Sequence, residues 1–173
     1  EFARLCVKAA YDVGAKDVIM NWSDDFVSRQ HWLNADDEVF DRVFHWDSDK
    51  ALGFAKMGAA RLSISATDPE NLKGVDPSRL ERASKASGEA NKEFHDMLMA
   101  SAFPWCVASI PIPSWAKKVF PDLPEDEAMD RLWKEIFNSV RITPEGGAVK
   151  RWRDHCEYLK QKREALNEYN FKY

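Results

Sequence analysis

The sequence predicts an α/β fold: three layers, α/β/α, with a mainly parallel sheet and a long carboxy-terminal helix. Two observations carry this. Short, nearly continuous apolar runs alternate with longer amphipathic stretches, the pattern of β–α–β units rather than of hairpins. Glycine and Asp-Pro punctuation falls where each amphipathic stretch should stop or start. The 173 residues fit one α/β domain over 1–173 and are enough to bury a core.

Phe2, Leu5, Cys6, Ala9 and Val13 recur at helical spacing, and Gly14 stands where a left-handed turn would end that helix. Lys16 to Trp22 carries Val18-Ile19-Met20, which suits a strand buried on both faces. Helix, glycine and buried strand make the second half of a β–α–β unit, so the unit's first strand is expected before Glu1. Residues 24–44 read as one or two short helices. Asp47 or Ser48 is a candidate cap for a helix carrying Leu52, Phe54, Ala55 and Met57 and ending at Gly58. Ala60 to Ala66 alternates Leu62 and Ile64 against Ser63 and Ser65, a second strand. A loop, Thr67 to Gly74, leads to Asp76-Pro77, a helix start with a capping carboxylate and proline at its first position. That helix carries Leu80, Ala83, Ala90, Phe94 and Met97 on one side.

Phe103 to Ile110 is a third strand, apolar almost throughout. Ser114 is placed to cap a short helix from Trp115 to Phe120. Pro124 opens a helix with a full apolar stripe, Met129, Leu132, Trp133, Ile136, Phe137 and Val140. Asp126, Glu127 and Asp130 suit the positive end of its dipole. After the breaks at Thr143-Pro144 and Gly146-Gly147, a last helix runs from about Ala148 to Phe171. Val149, Trp152, Cys156, Leu159 and Leu166 stand at heptad-like spacing, with Arg163 inside the stripe. The arginine speaks against a symmetric coiled coil and for a helix packed on a sheet or a neighbouring domain. Asn170 to Tyr173 carries no helix stop signal and reads as the start of another segment.

Composition narrows the function. A formal net charge of −4 favours neither nucleic acid nor anionic lipid. The apolar runs are too short to span a bilayer, and no signal peptide is visible at the amino end. Cys6, Cys106 and Cys156 are odd in number and widely spaced, which is not a disulfide framework. Each sits among apolar neighbours in sequence, as small buried thiols do, which fits a reducing cytoplasm.

No catalytic, cofactor-binding or metal-ligating residue stands out. His31, His45, His95 and His155 form no His-Glu-x-x-His helix, His-x-His pair or Cys-x-x-Cys knuckle. His155 and Cys156 are adjacent and face different sides of one helix, with Cys156 expected in the core. The turn Trp22-Ser23-Asp24-Asp25 has no glycine that would let backbone approach a pyrophosphate. No serine stands in a Gly-x-Ser-x-Gly elbow, and Gly88 reads as a packing or flexibility feature. Ligands of parallel sheets collect at the carboxyl ends of strands, here Asn21 to Asp24, Thr67 to Asp68 and Ser109 to Pro113, with Trp22 and Trp115 nearby. Asp24, Asp68 and Pro111 would anchor a small-molecule site in a stand-alone module. The plainer reading has Ser23 and Asp24 capping a helix and Asp68-Pro69 starting a turn. The carboxylates between Asp122 and Asp130, and the mixed charges around Lys150 to Arg163, read as solvated helix surface.

Four blocks, taken in order, resemble the thermophilic metallo-aminopeptidase family, the leucyl aminopeptidase T and PepS type. They are Val7-Lys8-Ala9-Ala10-Tyr11 through Gly14-Ala15 to Trp22-Ser23-Asp24; Gly58 to Ile64 with Asp68-Pro69 and Gly74-Val75-Asp76-Pro77; Trp105 to Pro121; and Leu132-Trp133 with the last helix through Leu166-Asn167. No block is a catalytic signature, but together they cover nearly the whole chain and match the amino-terminal domain of that family. The resemblance implies a metal-dependent exopeptidase that removes amino-terminal residues from peptides. It implies two divalent ions of the Zn, Co or Mn type, held by Glu, His, Asp and Tyr side chains in a carboxy-terminal catalytic domain, and a homodimer with an enclosed chamber. None of those ligands maps onto a residue of this sequence. The fragment itself is therefore expected to be inactive and to pack beside the catalytic domain. A binding or dimerising module without catalysis is the alternative.

Overall fold

Five-residue strands β1 (Arg61–Ser65) and β2 (Trp105–Ser109) pair in parallel, with Arg61 opposite Trp105 and Ser65 opposite Ser109. They form a two-stranded sheet among the residues that the computed structural model describes, 1–169. The chain divides into two compact units, Glu1–Ile110 and Pro111–Tyr173.

In the first unit the elements run α1 (Phe2–Asp12), α2 (Asp25–Asn34), a 3-10 turn (Asp37–Asp41), α3 (His45–Lys56), β1, α4 (Pro77–Ala90), α5 (Lys92–Met99) and β2. The parallel pair and its long helical crossover confirm the expected α/β class. Helix α1 ends as the sequence requires. Gly14 sits at φ +94° and donates to Tyr11 O, while Ala15 donates to Ala10 O. Gly58 repeats this closure after α3, at φ +73°. Asp76 caps α4 by accepting from the Ser78 N–H at 2.9 Å, and Pro77 takes the first position.

Several elements differ from expectation. Lys16 to Trp22 is not a strand: its backbone joins no ladder among the described residues, and Ile19 and Met20 stay exposed. Apolar character alone does not make a strand, because the ladder's hydrogen bonds need a neighbour. Helix α3 starts at His45, ahead of Asp47 and Ser48, after an N-cap Phe44 that gives no side-chain bond. Ser48 instead donates to His45 O. The helix expected to run unbroken past Met97 is interrupted at Asn91, which lies off helical geometry at φ −103°, ψ 15°. Asn91 also returns its side-chain amide to Ser87 O at 3.0 Å, the local competition that makes asparagine a helix interrupter.

Two small cores hold this unit. Ala55, Phe94 and Phe103 join α3, α5 and the entry to β2, with Ala51, Leu52, Met97 and Leu98 packed around them. The Arg61 guanidinium lies 5.0 Å from the Phe94 ring centre. Around the 3-10 turn, Phe40 is 2% exposed, stacks on Trp32 with ring centres 5.2 Å apart, and takes Arg79 on its ring at 5.1 Å.

The second unit contains α6 (Pro113–Val119), α7 (Glu125–Ser139) and α8 (Ala148–Glu168). Pro113 opens α6 and Ile112 is its N-cap, so Ser114 lies inside the helix and does not cap it. Proline tolerates that first position because it has no N–H to leave unpaired. Helices α6 and α7 form a hairpin whose crossing is Ala116, Ala128 and Leu132, all buried. Two alanines at the contact let the helix axes approach closely. Trp115, Phe120, Leu123, Met129 and Ile136 close around them. Lys117 ties the intervening turn by donating to Pro121 O at 2.9 Å and Leu123 O at 2.6 Å. The expected extension of α8 to Phe171 and the reading of Asn170 to Tyr173 lie outside the described residues.

Candidate functional site

The carboxyl ends of the sheet strands are where a ligand of this fold would sit, and the first unit brings two of the three expected segments together. Asp24 is the N-cap of α2, its Oδ1 accepting from the Val27 N–H at 2.9 Å. Asp25, one residue on, accepts from the Asp68 N–H at 2.9 Å, so the start of α2 grips the loop after β1. Asp68 in turn accepts from the Glu70 N–H at 2.9 Å and shapes an Asx turn. Arg29, one helical turn beyond Asp25, clamps the far side of that loop by donating to Asn71 O and, at 2.9 Å, to Lys73 O. The plainer sequence reading holds for Asp24 and Asp68, while the cap of α2 is Asp24 and not Ser23; with Asp25, three aspartates organise backbone.

The remaining sites fall elsewhere. Ser109 ends β2, and the Ile110 N–H continues the ladder to Ser65 O at 3.0 Å. Pro111 to Pro113 belong to the second unit and lead into α6. Trp22 is exposed, and Trp115 is packed on the α6–α7 core. Asn21 receives a hydrogen bond from Lys50 Nζ at 2.8 Å.

Sequence reasoning did not single out Asp25, Arg29, Arg79 or Arg82. Arg79 donates to Trp32 O at 2.9 Å and pairs with Asp37 at 2.7 Å. Arg82 donates to both carboxylate oxygens of Asp41 and, at 2.6 Å, to Asp37 O. Its hydrogen bond and charge hold the Asp41 carboxyl below its ordinary range. The Ser78 N–H does the same for Asp76. The partners of Asp25, Arg29, Arg79 and Arg82 are all more than 40 positions away, beyond any local spacing rule. The one local signal is weak: arginines one turn apart on the face of α4 that turns toward the Asp-rich stretch 36–41.

Among the described residues, no three His, Cys, Asp or Glu side chains come together as a group able to hold an ion. The described residues do not assemble a two-metal centre. The three cysteines are unbridged, and Cys106 and Cys156 are exposed, not buried as expected: Cys156 lies on a helix none of whose residues is buried.

What the fold and its strand ends define is an α/β protein in which Asp24, Asp25, Asp68 and Arg29 hold a loop and a helix start. The family model for thermophilic metalloproteases (M29) matches residues 1–173, and the chain belongs to that family. Aminopeptidase AmpS of Bacillus subtilis (strain 168) is 36% identical over 171 residues, which are 99% of this chain and 42% of that protein. Aminopeptidase T of Thermus aquaticus is 33% identical, with the same shares. The solved structure of wild-type AmpT from Thermus thermophilus superposes with a TM-score of 0.83 at 33% identity, covering 98% of this chain and 41% of that one. The chain thus spans about two fifths of the length of the relatives it matches.

Proposed function

We propose that this chain is the amino-terminal, non-catalytic portion of a metal-dependent aminopeptidase that releases amino-terminal residues from peptides. The observation that supports it is a family match along the whole chain that fills only 41–42% of the relatives, with no metal-ligand group among the described residues. In this reading, the remainder of the family-length polypeptide would hold two divalent ions, whose chemistry there would be to activate water and polarise a carbonyl. The present residues contribute no ligand. They pack beside the catalytic portion, help wall its chamber in a homodimer, and work in the cytoplasm. Apolar surface left open on this chain supports a packing role: Leu62 and Trp105 are each 47% exposed and Val107 62% exposed. Among the described residues, no helix is long and apolar enough to cross a membrane.

The test is a pair of assays with an amino-acid p-nitroanilide and added Zn²⁺, Co²⁺ or Mn²⁺. The chain alone should release no more product than the buffer. A chimera in which it replaces the matching segment of Aminopeptidase T should keep metal-dependent turnover. Metal-dependent turnover by the chain alone would sink the proposal, as would a chimera that folds but is dead with every metal.

A further inference from the structure

Helix α8 is about 32 Å long, and none of its residues is buried. Its first turns are fastened. Trp152 donates to Val140 O at 2.9 Å, and Arg151 donates to Arg141 O at 2.9 Å. From Cys156 onward every described residue is exposed. Yet Val149, Trp152, Cys156, Leu159, Arg163 and Leu166 alternate at steps of three and four, the seam of a two-helix coiled coil. Val149, Leu159 and Leu166 are each at least half exposed. A seam this regular has no occupant among the described residues.

The charges beside the seam say what fits. Arg153 and Lys160 flank it on one side, His155 and Lys162 on the other, and Arg163 stands within it. The carboxylates of α8, Asp154, Glu157, Glu164 and Glu168, lie toward the back of the helix, where Asp154 pairs with Lys150 at 2.8 Å. Flanking positions of a coiled coil choose the partner by charge. A second copy packed antiparallel would set Arg153 and Lys160 against the same two residues, like charge on like. A bilayer surface is a poorer match, because the seam is narrow and the acidic back lies close beside it.

We propose that α8 is a docking helix for one occupant: an amphipathic helix with an apolar heptad stripe flanked by Asp and Glu. This rests on the reading above, since the part of the family-length polypeptide that the 173 residues do not span would supply it. Arg163 then meets a carboxylate of that helix, which turns the seam's one polar position into a register mark.

The test uses the 173-residue chain and two fluorescein-labelled, 21-residue helical peptides with leucine at both seam positions. One carries Glu at the flanking positions, the other Lys. Fluorescence anisotropy should show the Glu peptide binding about tenfold or more tightly than the Lys peptide, with an advantage that shrinks as salt rises. The triple variant Arg153→Glu, Lys160→Glu, Lys162→Glu should reverse the preference, and Leu159→Asp should remove binding of both. Equal binding, or binding unmoved by the triple variant, overturns the proposal. So does a dimer in sedimentation that Leu159→Asp dissociates, which would make a second copy the occupant. Binding to phosphatidylglycerol vesicles but not to the Glu peptide overturns it in favour of lipid. These outcomes are independent of the chimera assay, so failure of the α8 proposal and failure of the aminopeptidase reading give different results.

Discussion

Helices α7 and α8 are neighbours in one unit and both are amphipathic, yet only one has used its stripe. In α7, Ala128 and Leu132 are buried against α6, and Met129 and Ile136 close the contact. In α8 the corresponding residues face solvent. An apolar stripe states that a helix wants a partner and does not say which element supplies it. The α6–α7 hairpin finds its partner across a five-residue turn, 120–124, because Lys117 and Pro121 turn the chain back at once. Helix α8 leaves α7 through the left-handed glycines Gly146 and Gly147, at φ +74° and +76°, and is fastened only near its start.

The largest expected effect breaks the buried side of that comparison. Leu132→Ala should cost about 2–5 kcal/mol, the lost transfer energy plus a cavity between α6 and α7, read as a lower midpoint in urea. The matched change Leu159→Ala in α8 should stay within about 0.5 kcal/mol, because it empties no packed site. Similar losses at both positions would mean that α8 is as packed as α7.

Helix ends give a second, smaller contrast. Four helices close with the same pair of backbone bonds, but Gly14 and Gly58 hold the left-handed position after α1 and α3, whereas Ser101 and Arg141 hold it after α5 and α7. A side chain there costs about 1–2 kcal/mol. Gly58→Ala should therefore destabilise the protein by about 1 kcal/mol, and Ser101→Gly should stabilise it by a similar amount. Arg141→Gly should gain less than Ser101→Gly, because it also loses the guanidinium 5.4 Å from the Trp152 ring centre. Thermal midpoints of the three variants check the order.

The smallest effect is in the acid limb of stability. Arg82 lowers the Asp41 carboxyl from its ordinary 3.8, with Asp37 and Asp76 also facing the guanidinium. A depressed carboxylate stabilises the fold above its unfolded pKa, and that contribution fades as pH falls through the folded value. Asp41→Asn should flatten the fall in urea stability as the pH drops below the ordinary carboxylate range, and leave the dependence near pH 7 unchanged. High salt should shrink the difference, since the pair is partly exposed to solvent.

Local signals were the most legible. The Gly14 and Gly58 closures, the Asp76-Pro77 start and the Asp24 cap follow from backbone sterics and unpaired N–H groups that one residue settles. The strands at 61–65 and 105–109 were readable from apolar character and came out paired in the expected sense. The segment Val18-Ile19-Met20 looked just as strand-like, but a strand is a relation between two segments and this one has no neighbour among the described residues. Cys156 was misplaced for the same reason, since its heptad position implied a core that only a second helix could create. At the candidate site, the capping role of Asp24 was visible in sequence. The grip of Asp25 on the Asp68 N–H was not, because it joins residues 43 positions apart.

The sequence by itself determined the α/β class, most helix starts and stops, and the family resemblance. Each is written in short-range patterns of apolar spacing and turn residues. Only the tertiary structure decided which stripes are covered, which aspartates hold loops, and that no metal-ligand group forms among the described residues. Burial and hydrogen-bond partnership depend on which distant segments meet, and no local spacing encodes that meeting.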